Sequence, residues 1–547
     1  MKHWTGFCWF VLLAINVFFG EKSLAQVAFS SSNLPIVVIN TDGQDIVDDP
    51  KITVDMGIIF NGPGVRNNLT DPFNDYNGKI GIEVRGSSSQ SFPKKQFGFE
   101  LLDDAGESVD ASLLGLPAKD DWILFAPYND KSLMRDVLAY RLAQDLDGYA
   151  SRFKYCELVL NGQYHGIYVL LEKIKRDKNR VNIDKLDPAE VSGENLTGGY
   201  IFKIDKSTGS GGDGWTSDHE PPRRSGNQTV FFQYEYPKQE DIAPEQEQYI
   251  QNYVASFENA LKGETFMDPV NGYAKYINVS SFVDYFIANE VSKNPDAYRL
   301  STFMHKKKDG SGGKLYMGPV WDFNLGFGNV NYCTGESPEG FVIRFNSICP
   351  EDFWLIPFWW DRLFVDPAFQ TATAARWNQL RSGPYQTAKV TAIIDSIASV
   401  LNAESQQRNF QRWPVLGQYV WPNAFIGQTY QQEVDWLKTW VTDRLAWMDA
   451  NINVVTGIES DDKSPAVQVT PNPFTEVLNI SFELSESGFP SIQVVDVVGR
   501  QLERINTGYL QPGKQVLSVN TQTWPSGIYV VKITNGNTVQ SVRVVHR

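Results

Sequence analysis

Histidine and cysteine are scarce in this chain, with five and four among 547 residues. Scattered as they are, the histidines leave little material for a histidine-rich metal site. A basic excess is also missing. The 49 Lys+Arg against 64 Asp+Glu give a formal charge of -15, which excludes broad, sequence-independent capture of nucleic acid or anionic lipid but leaves room for a local basic pocket. Beyond the first residues no apolar run approaches the roughly 20 residues of a spanning helix, and no internal repeat is present. At 42% hydrophobic and 21% charged residues, neither a disordered chain nor a polytopic membrane protein fits. What is there is length, enough at about 150 residues per domain for three or four domains, or one large domain with attachments. The aromatic load is heavy, with 15 Trp, 23 Tyr and 33 Phe. Most belong in a core, and carbohydrate-facing aromatics stay open as a second use.

Residues 1–25 read as an export signal. Lys2 and His3 precede an apolar run over 7–19, and the small residues Ser23 and Ala25 place a cleavage before Gln26. The run is too short for an anchor, so no transmembrane segment remains after cleavage. Cys8 is lost with the signal. In an exported protein, Cys333 and Cys349 flanking a Gly- and Pro-containing stretch predict a disulfide worth roughly 3 kcal/mol by loop closure. Cys156, in a strand-like run, reads as a buried small hydrophobe.

A polar, charged stretch (ESDDKSP) marks a linker over 459–466. After it, alternating segments at 477–482, 492–498, 515–519, 528–533 and 539–545, separated by glycine-bearing turns, predict a small immunoglobulin-like β-sandwich over 467–547. This tail is close to neutral, so the acidity belongs to the larger domain, 26–458. The wording VTPNPFTEVLNISFEL, VVDVVGRQL, LQPGKQVLSVNTQTWPSGIYVVKI and VQSVRVVHR resembles the type A C-terminal sorting domain of the type IX secretion system, found in Bacteroidetes. The resemblance implies the type IX machinery as a partner and passage across the outer membrane. The tail is commonly removed, and the body is released or attached to surface lipopolysaccharide. By pattern alone, an ordinary immunoglobulin-like adhesion module is the alternative.

The larger domain reads as α+β, strand-rich first and helix-rich later. LPIVVINTDG, KITVDMGIIF and KIGIEVRG are strand runs ending in turns. Residues 133–143 carry a helical stripe of Leu133, Val137, Leu138 and Leu142, with Asn129 or Asp130 placed to cap it. Residues 153–160 and 163–172 predict a hairpin on Asn161-Gly162, because a type I′ turn needs positive φ at both central positions. Its second strand ends at Glu172 and runs into Lys173, Lys175, Arg176, Lys178 and Arg180; His165 on that strand reads as structural or exposed. Helical spacing recurs at 245–261, 281–291, 389–401 and 432–448.

Three features could carry chemistry. Ser280 is placed to cap a helix that Pro295 prevents from continuing, which sets Asp296 at a helix-to-loop junction. A hairpin with a charged turn follows (LSTFMHKKKDGSGGKLYMGPVWDFNLGFG), whose return strand brings Asp322 to a glycine-rich end. Phosphoryl transfer needs one carboxylate to orient an acceptor, another to hold magnesium, and cations to neutralise phosphate charge. Asp296 and Asp322 suit the first two, and Asn324 can add a neutral oxygen ligand. Upstream, Arg85-Gly86, a small-residue loop and Pro93-Lys94-Lys95 could cover polyphosphate, although they match neither the P-loop nor the conventional kinase glycine loop. The plain readings are an Asx turn and a surface hairpin with solvated lysines.

Five ordered motifs, RGSSSQSFPKKQFGFEL, DWILFAPYNDKSLMRDVLAYRLA, NGQYHGIYVLLEKIKRDKNRVNI, KNPDAYRLSTF and GPVWDFNLGFGN, resemble the CotH kinase family over roughly 35–450. The resemblance implies an atypical protein-kinase-like fold and ATP with magnesium as cofactors. It puts the catalytic aspartate on Asp296 and the metal-binding aspartate on Asp322. It also implies Glu172 paired with Lys94 or Lys95. A conventional protein kinase has a metal-binding Asn five residues after the catalytic Asp; here that position is Ser301, so either Asn324 replaces the ligand or metal binding is altered. Two functions follow: an exported kinase acting on Ser or Thr of a surface or co-exported protein, or a non-catalytic surface module associated with a protein or glycan partner, for which aromatic runs such as FWLIPFWW speak. Calcium is a weaker expectation at Asp71, Asn74, Asp75 and Asn77, whose spacing is not that of an EF-hand.

Overall fold

The computed structural model describes residues 27–207, 212–402, 404–452, 467–484, 487–496, 501–535 and 538–547. The export signal, its cleavage point and the linker 459–466 lie outside the described residues. Contacts divide the chain into two units, the first ending at Thr456 and the second starting at Gly457.

The first unit begins with strands because its first segments are rich in β-branched Val and Ile, continuous in IVVIN and interrupted by small or polar residues in those that follow. β1 (Ile36–Asn40), β2 (Ile52–Ile59), β3 (Tyr76–Arg85), β4 (Gln96–Leu102), β5 (Asp121–Phe125), β6 (Phe153–Leu160) and β7 (Gln163–Glu172) close into a barrel in the order β1-β2-β3-β4-β5-β7-β6. Every pairing is antiparallel except the closing one, β1 with β6, which is parallel. Val37, Ile39, Met56, Ile80, Phe99 and Leu170 fill the interior, while Ile36, Ile59 and Val159, on the opposite faces of their strands, pack in a separate cluster. The β6–β7 turn has φ of 50° at Asn161 and 74° at Gly162, both left-handed as the sequence requires.

A five-stranded sheet follows: β8 (Tyr200–Ile204), β9 (Gly214–Thr216), β10 (Phe231–Tyr236), β11 (Thr302–Lys306) and β12 (Leu315–Met317), ordered β9-β10-β8-β11-β12. The helices are α1 (Arg135–Ala143), α2 (Pro244–Lys262), α3 (Val279–Ser292), α4 (Pro367–Ser382), α5 (Thr387–Asn402), α6 (Ser405–Arg412), which packs on β7 of the barrel, and α7 (Tyr430–Asn451). Asp130 anchors the start of α1 by accepting from Ser132 N and Arg135 N. The cap of α3 is Asn278 and not Ser280: Asn278 Oδ1 accepts from Ser281 N at 2.9 Å, and Ser280 instead donates its hydroxyl to the same oxygen. Cys333 and Cys349 form the expected disulfide, and Cys156 is buried and free.

Two features offered for surface roles are largely engaged within the fold. Of FWLIPFWW, Trp359 and Trp360 are core residues, and only Phe353 is well exposed. The oxygens considered for calcium bind protein donors: Asp71 accepts from Asn61 and Asn68, Asn74 from Phe60 N, and Asp75 from Leu114 N of another loop.

The second unit is an immunoglobulin-like sandwich of two antiparallel sheets. One joins β13 (Gln468–Thr470), β14 (Val477–Leu484) and β17 (Gly513–Asn520). The other joins β15 (Ser491–Asp496), β16 (Gln501–Asn506), β18 (Gly527–Asn535) and β19 (Thr538–His546). Leu478, Ile480, Ile492, Val494 and Val531 fill the space between them.

Candidate functional site

A cavity of about 260 Å³ lies between the mouth of the barrel and the five-stranded sheet. The barrel contributes the loop 86–89 and the cross-strand pair Arg85 and Gln96. The end of β8 contributes Lys203, Asp205 and Lys206, and α1 contributes Asp136 and Tyr140. Two loops bring Asp296 with Ser301, and Asp322 with Asn324. Residues more than 200 positions apart in sequence thus share one space.

Asp296 stands where the sequence ends a helix. After α3, Lys293 turns left-handed at φ 45°, and Pro295 cannot continue the ladder. Arg299 Nη2 donates to Asp296 Oδ1 at 2.8 Å, and Arg299 Nη1 donates to Asp352 at 2.9 Å. The buried Arg299 guanidinium lies 4.0 Å from the Phe345 ring centre, so its position, and with it that of Asp296, is fixed by packing. Asn294 ties the two acidic loops together. Its Oδ1 accepts from Asp296 N at 3.2 Å, and its Nδ2 donates to Asp322 O at 2.9 Å.

Asp322 follows β12, which ends at Met317, five residues earlier than a strand running to the aspartate would need. It sits at φ 66°, and Ser301 across the cavity at φ 48°. Such backbone conformations cost of order 1–3 kcal/mol each and persist where surroundings impose them. Asp322 N donates to the Tyr140 hydroxyl at 3.2 Å, but its carboxylate accepts no hydrogen bond from a described residue. Burial, and then the Asp296 charge, push the Asp322 carboxyl up to about 6 against the pull of Arg85. Burial also raises Asp296, opposed by Arg299 and Lys206. Arg85 makes no hydrogen bond or ion pair with a described residue; it lies over Trp321 at 5.8 Å with its donors free.

The expected pair of Glu172 with a Lys94 or Lys95 ammonium is not formed. Glu172 is fully buried and bound by Arg152, at 2.8 Å to each carboxylate oxygen, and by the Tyr149 hydroxyl. Alternation along β7 explains this: Leu171 faces the cavity, so Glu172 points away from it. Lys94 is buried under the barrel, donating to Ile167 O and Asn409 Oδ1 at 2.6 and 2.9 Å, and burial lowers its pKa to about 7. Lys95 donates to Gln90 O and so shapes the loop after Arg85. The cavity's cations are instead Arg85, Lys173, Lys203 and Lys206. Lys203 and Lys206 sit in the alternating charged end of YIFKIDK, a signal legible in the sequence but not used. Asp136 was equally legible, as a carboxylate four residues before Tyr140 on one helical face.

Residues 82–448, more than half of the chain, match the family described as CotH kinase protein, and the chain belongs to that family. Residues 468–547 match the secretion system C-terminal sorting domain, so the chain is secreted or attached to the cell surface through the type IX system. No helix among the described residues is long and apolar enough to cross a membrane. No curated protein matches the chain. Among solved structures, the X-ray structure of the endo-beta-1,4-mannanase from Thermotoga petrophila aligns at 8% identity with a TM-score of 0.13. That alignment covers 24% of this chain and 26% of the mannanase, and carries no argument about this fold.

Proposed function

We propose that this chain is an exported kinase that transfers the ATP γ-phosphoryl group to Ser or Thr hydroxyls of a surface or co-exported protein. The observation that carries the reading is the meeting of Asp296, Asp322 and the unpaired Arg85 in one cavity. The residues fit a magnesium ion. Among the described residues no three His, Cys, Asp or Glu side chains gather to hold a metal alone, but magnesium that keeps its waters and takes phosphate oxygens needs only one or two carboxylates. Asp322, with free carboxylate oxygens, and Asn324 would hold it, and the ion would neutralise charge on the phosphates.

The rest is done by side chains of this chain. Arg85 and Lys206 face the phosphate oxygens, where charge builds in a loose transition state. The loop 86–89 covers them with small residues. Asp296, its Oδ1 fixed by Arg299, accepts the acceptor hydroxyl's hydrogen bond. The hydroxyl oxygen bonds to phosphorus as the bond to the ADP oxygen breaks, and the proton passes to the Asp296 carboxylate. Its raised pKa suits a base of this kind.

The test is incubation of the full chain with γ-labelled ATP and magnesium, followed by phosphoamino-acid analysis of the chain and of co-exported proteins. Label on Ser or Thr is expected, reduced about 100-fold or more in Asp296→Asn. Unlabelled protein from a folded wild type would favour the second reading, a surface module without catalysis. That reading draws on Trp421, which lines the cavity half exposed and stacks on Tyr332 at 6.4 Å as a sugar platform would.

A further inference from the structure

We propose that Asp136 is a second carboxylate ligand, beside Asp322, of a divalent-cation site in this cavity. The inference rests on the kinase reading only in that both use Asp322. Asp136 comes from α1, on a different part of the chain from either aspartate loop, and is 4% exposed. Its Oδ1 accepts from Phe323 N at 2.8 Å, which locks α1 to the residue directly after Asp322. Its Oδ2 is buried with no hydrogen-bond partner. A buried carboxylate oxygen without a donor is rare in native proteins, because it forfeits the hydration it gave up on folding.

The surroundings say what the missing partner is. Asp136 lines the same cavity as Asp322, whose carboxylate is also free of protein donors. Of the neighbouring cations, Arg135 pairs with Asp130, Lys173 with Asp121, and Lys203 with Asp205 and Glu235, while Arg85 and Lys206 line the cavity, lie against Trp321 and Trp354, and form no ion pair with Asp136 or Asp322. Two carboxylates with free oxygens, and amide groups of Asn324 and Asn129 beside them, make an oxygen-only donor set with no imidazole or thiolate in the lining. Such a set selects a hard divalent ion, magnesium or manganese, over zinc or copper.

Mn²⁺ alone is the probe, titrated into the full chain without nucleotide and followed by the electron paramagnetic resonance of the free ion. Saturable binding is expected for wild type, weakened about 10- to 100-fold in Asp136→Asn. That variant keeps Oδ1 for Phe323 N, so its metal-free melting temperature should match or exceed the wild type's, which separates ligand loss from unfolding. Unchanged Mn²⁺ affinity in a folded Asp136→Asn would overturn the proposal and leave the orphan oxygen as a protonated one. So would a wild type that binds no Mn²⁺ by itself; if such a protein still bound magnesium-ATP, the kinase reading would stand alone. Mn²⁺ binding that depends on Asp136 without any ATP binding would support the cation site and remove the kinase reading.

Discussion

Glu258 shows how burial sets the behaviour of one side chain outside the cavity. It lies on α2, 2% exposed, with its carboxylate accepting from the Ser217 hydroxyl and from Trp359 Nε1. Burial pushes it up from an ordinary value of 4.5 to about 7, and these donors only partly offset the effect. A carboxyl whose folded pKa is raised favours folding below the unfolded pKa, and that contribution is lost as pH rises through the folded pKa. The contribution of Glu258 to stability should therefore fall between about pH 4.5 and 7 by an amount on the order of 3 kcal/mol. Glu258→Gln, which keeps an acceptor for Trp359, should escape this loss. Urea midpoints at pH 5 and pH 8 check it: the variant should gain on wild type at pH 8, and parallel midpoints would contradict the assignment. Individual roles were unevenly legible in the sequence. Asp296 and Asp322, which meet in the cavity, stood out in the sequence because Pro295 and the Gly-rich end of WDFNLGFG mark abrupt breaks. That Glu172 would bind Arg152 and not Lys94 or Lys95 was not legible, because a strand end does not say which face its last residue takes; in the fold Leu171 lines the cavity.

Among elements, α3 is held at its far end by a buried hub that no periodicity could reveal. Glu290 accepts from Val342 N, Ile343 N, the Tyr298 hydroxyl and Arg444 of α7, and both partners of the ion pair are fully buried. Lys293 adds bonds to Thr334 O and Ser337 O, holding the disulfide-closed segment against the turn that leads to Asp296. Removing one member of a buried pair strands the other charge, so Arg444→Ala should cost about 3–5 kcal/mol in chemical denaturation. A loss below about 1 kcal/mol would mean that the pair is not buried as described. Helices with strong apolar stripes, such as α2 and α5, were legible to within a few residues. α6 was not, because SQQRNFQR is polar except for Phe410 and shows no apolar stripe; it packs through buried Asn409 and Phe410, with Asn409 accepting from Lys94 and Ile167 N. The barrel strands were visible one by one. Their closure was not, since the parallel β1–β6 pairing joins segments more than a hundred residues apart.

At the scale of the molecule, each unit has its own apolar core, and the division at Thr456 predicts independent folding. A chain ending at Thr456 should melt at the same temperature as the corresponding transition of the full chain, within about 2 °C by calorimetry. A shift beyond about 5 °C would show that the sorting domain stabilises the body. The sorting tail was readable from its wording alone, and the kinase-like body from five ordered motifs; which of the legible cations share one cavity needed the fold. The measurement that bears most directly on a kinase is isothermal titration of the full chain with ATP, with and without magnesium. Wild type should bind ATP only with magnesium, Asp322→Ala should lose that binding, and Asp296→Asn should keep it while losing transfer. Absence of ATP binding by folded wild type, or binding indifferent to magnesium and to Asp322, would contradict the assignment of this cavity to phosphoryl transfer.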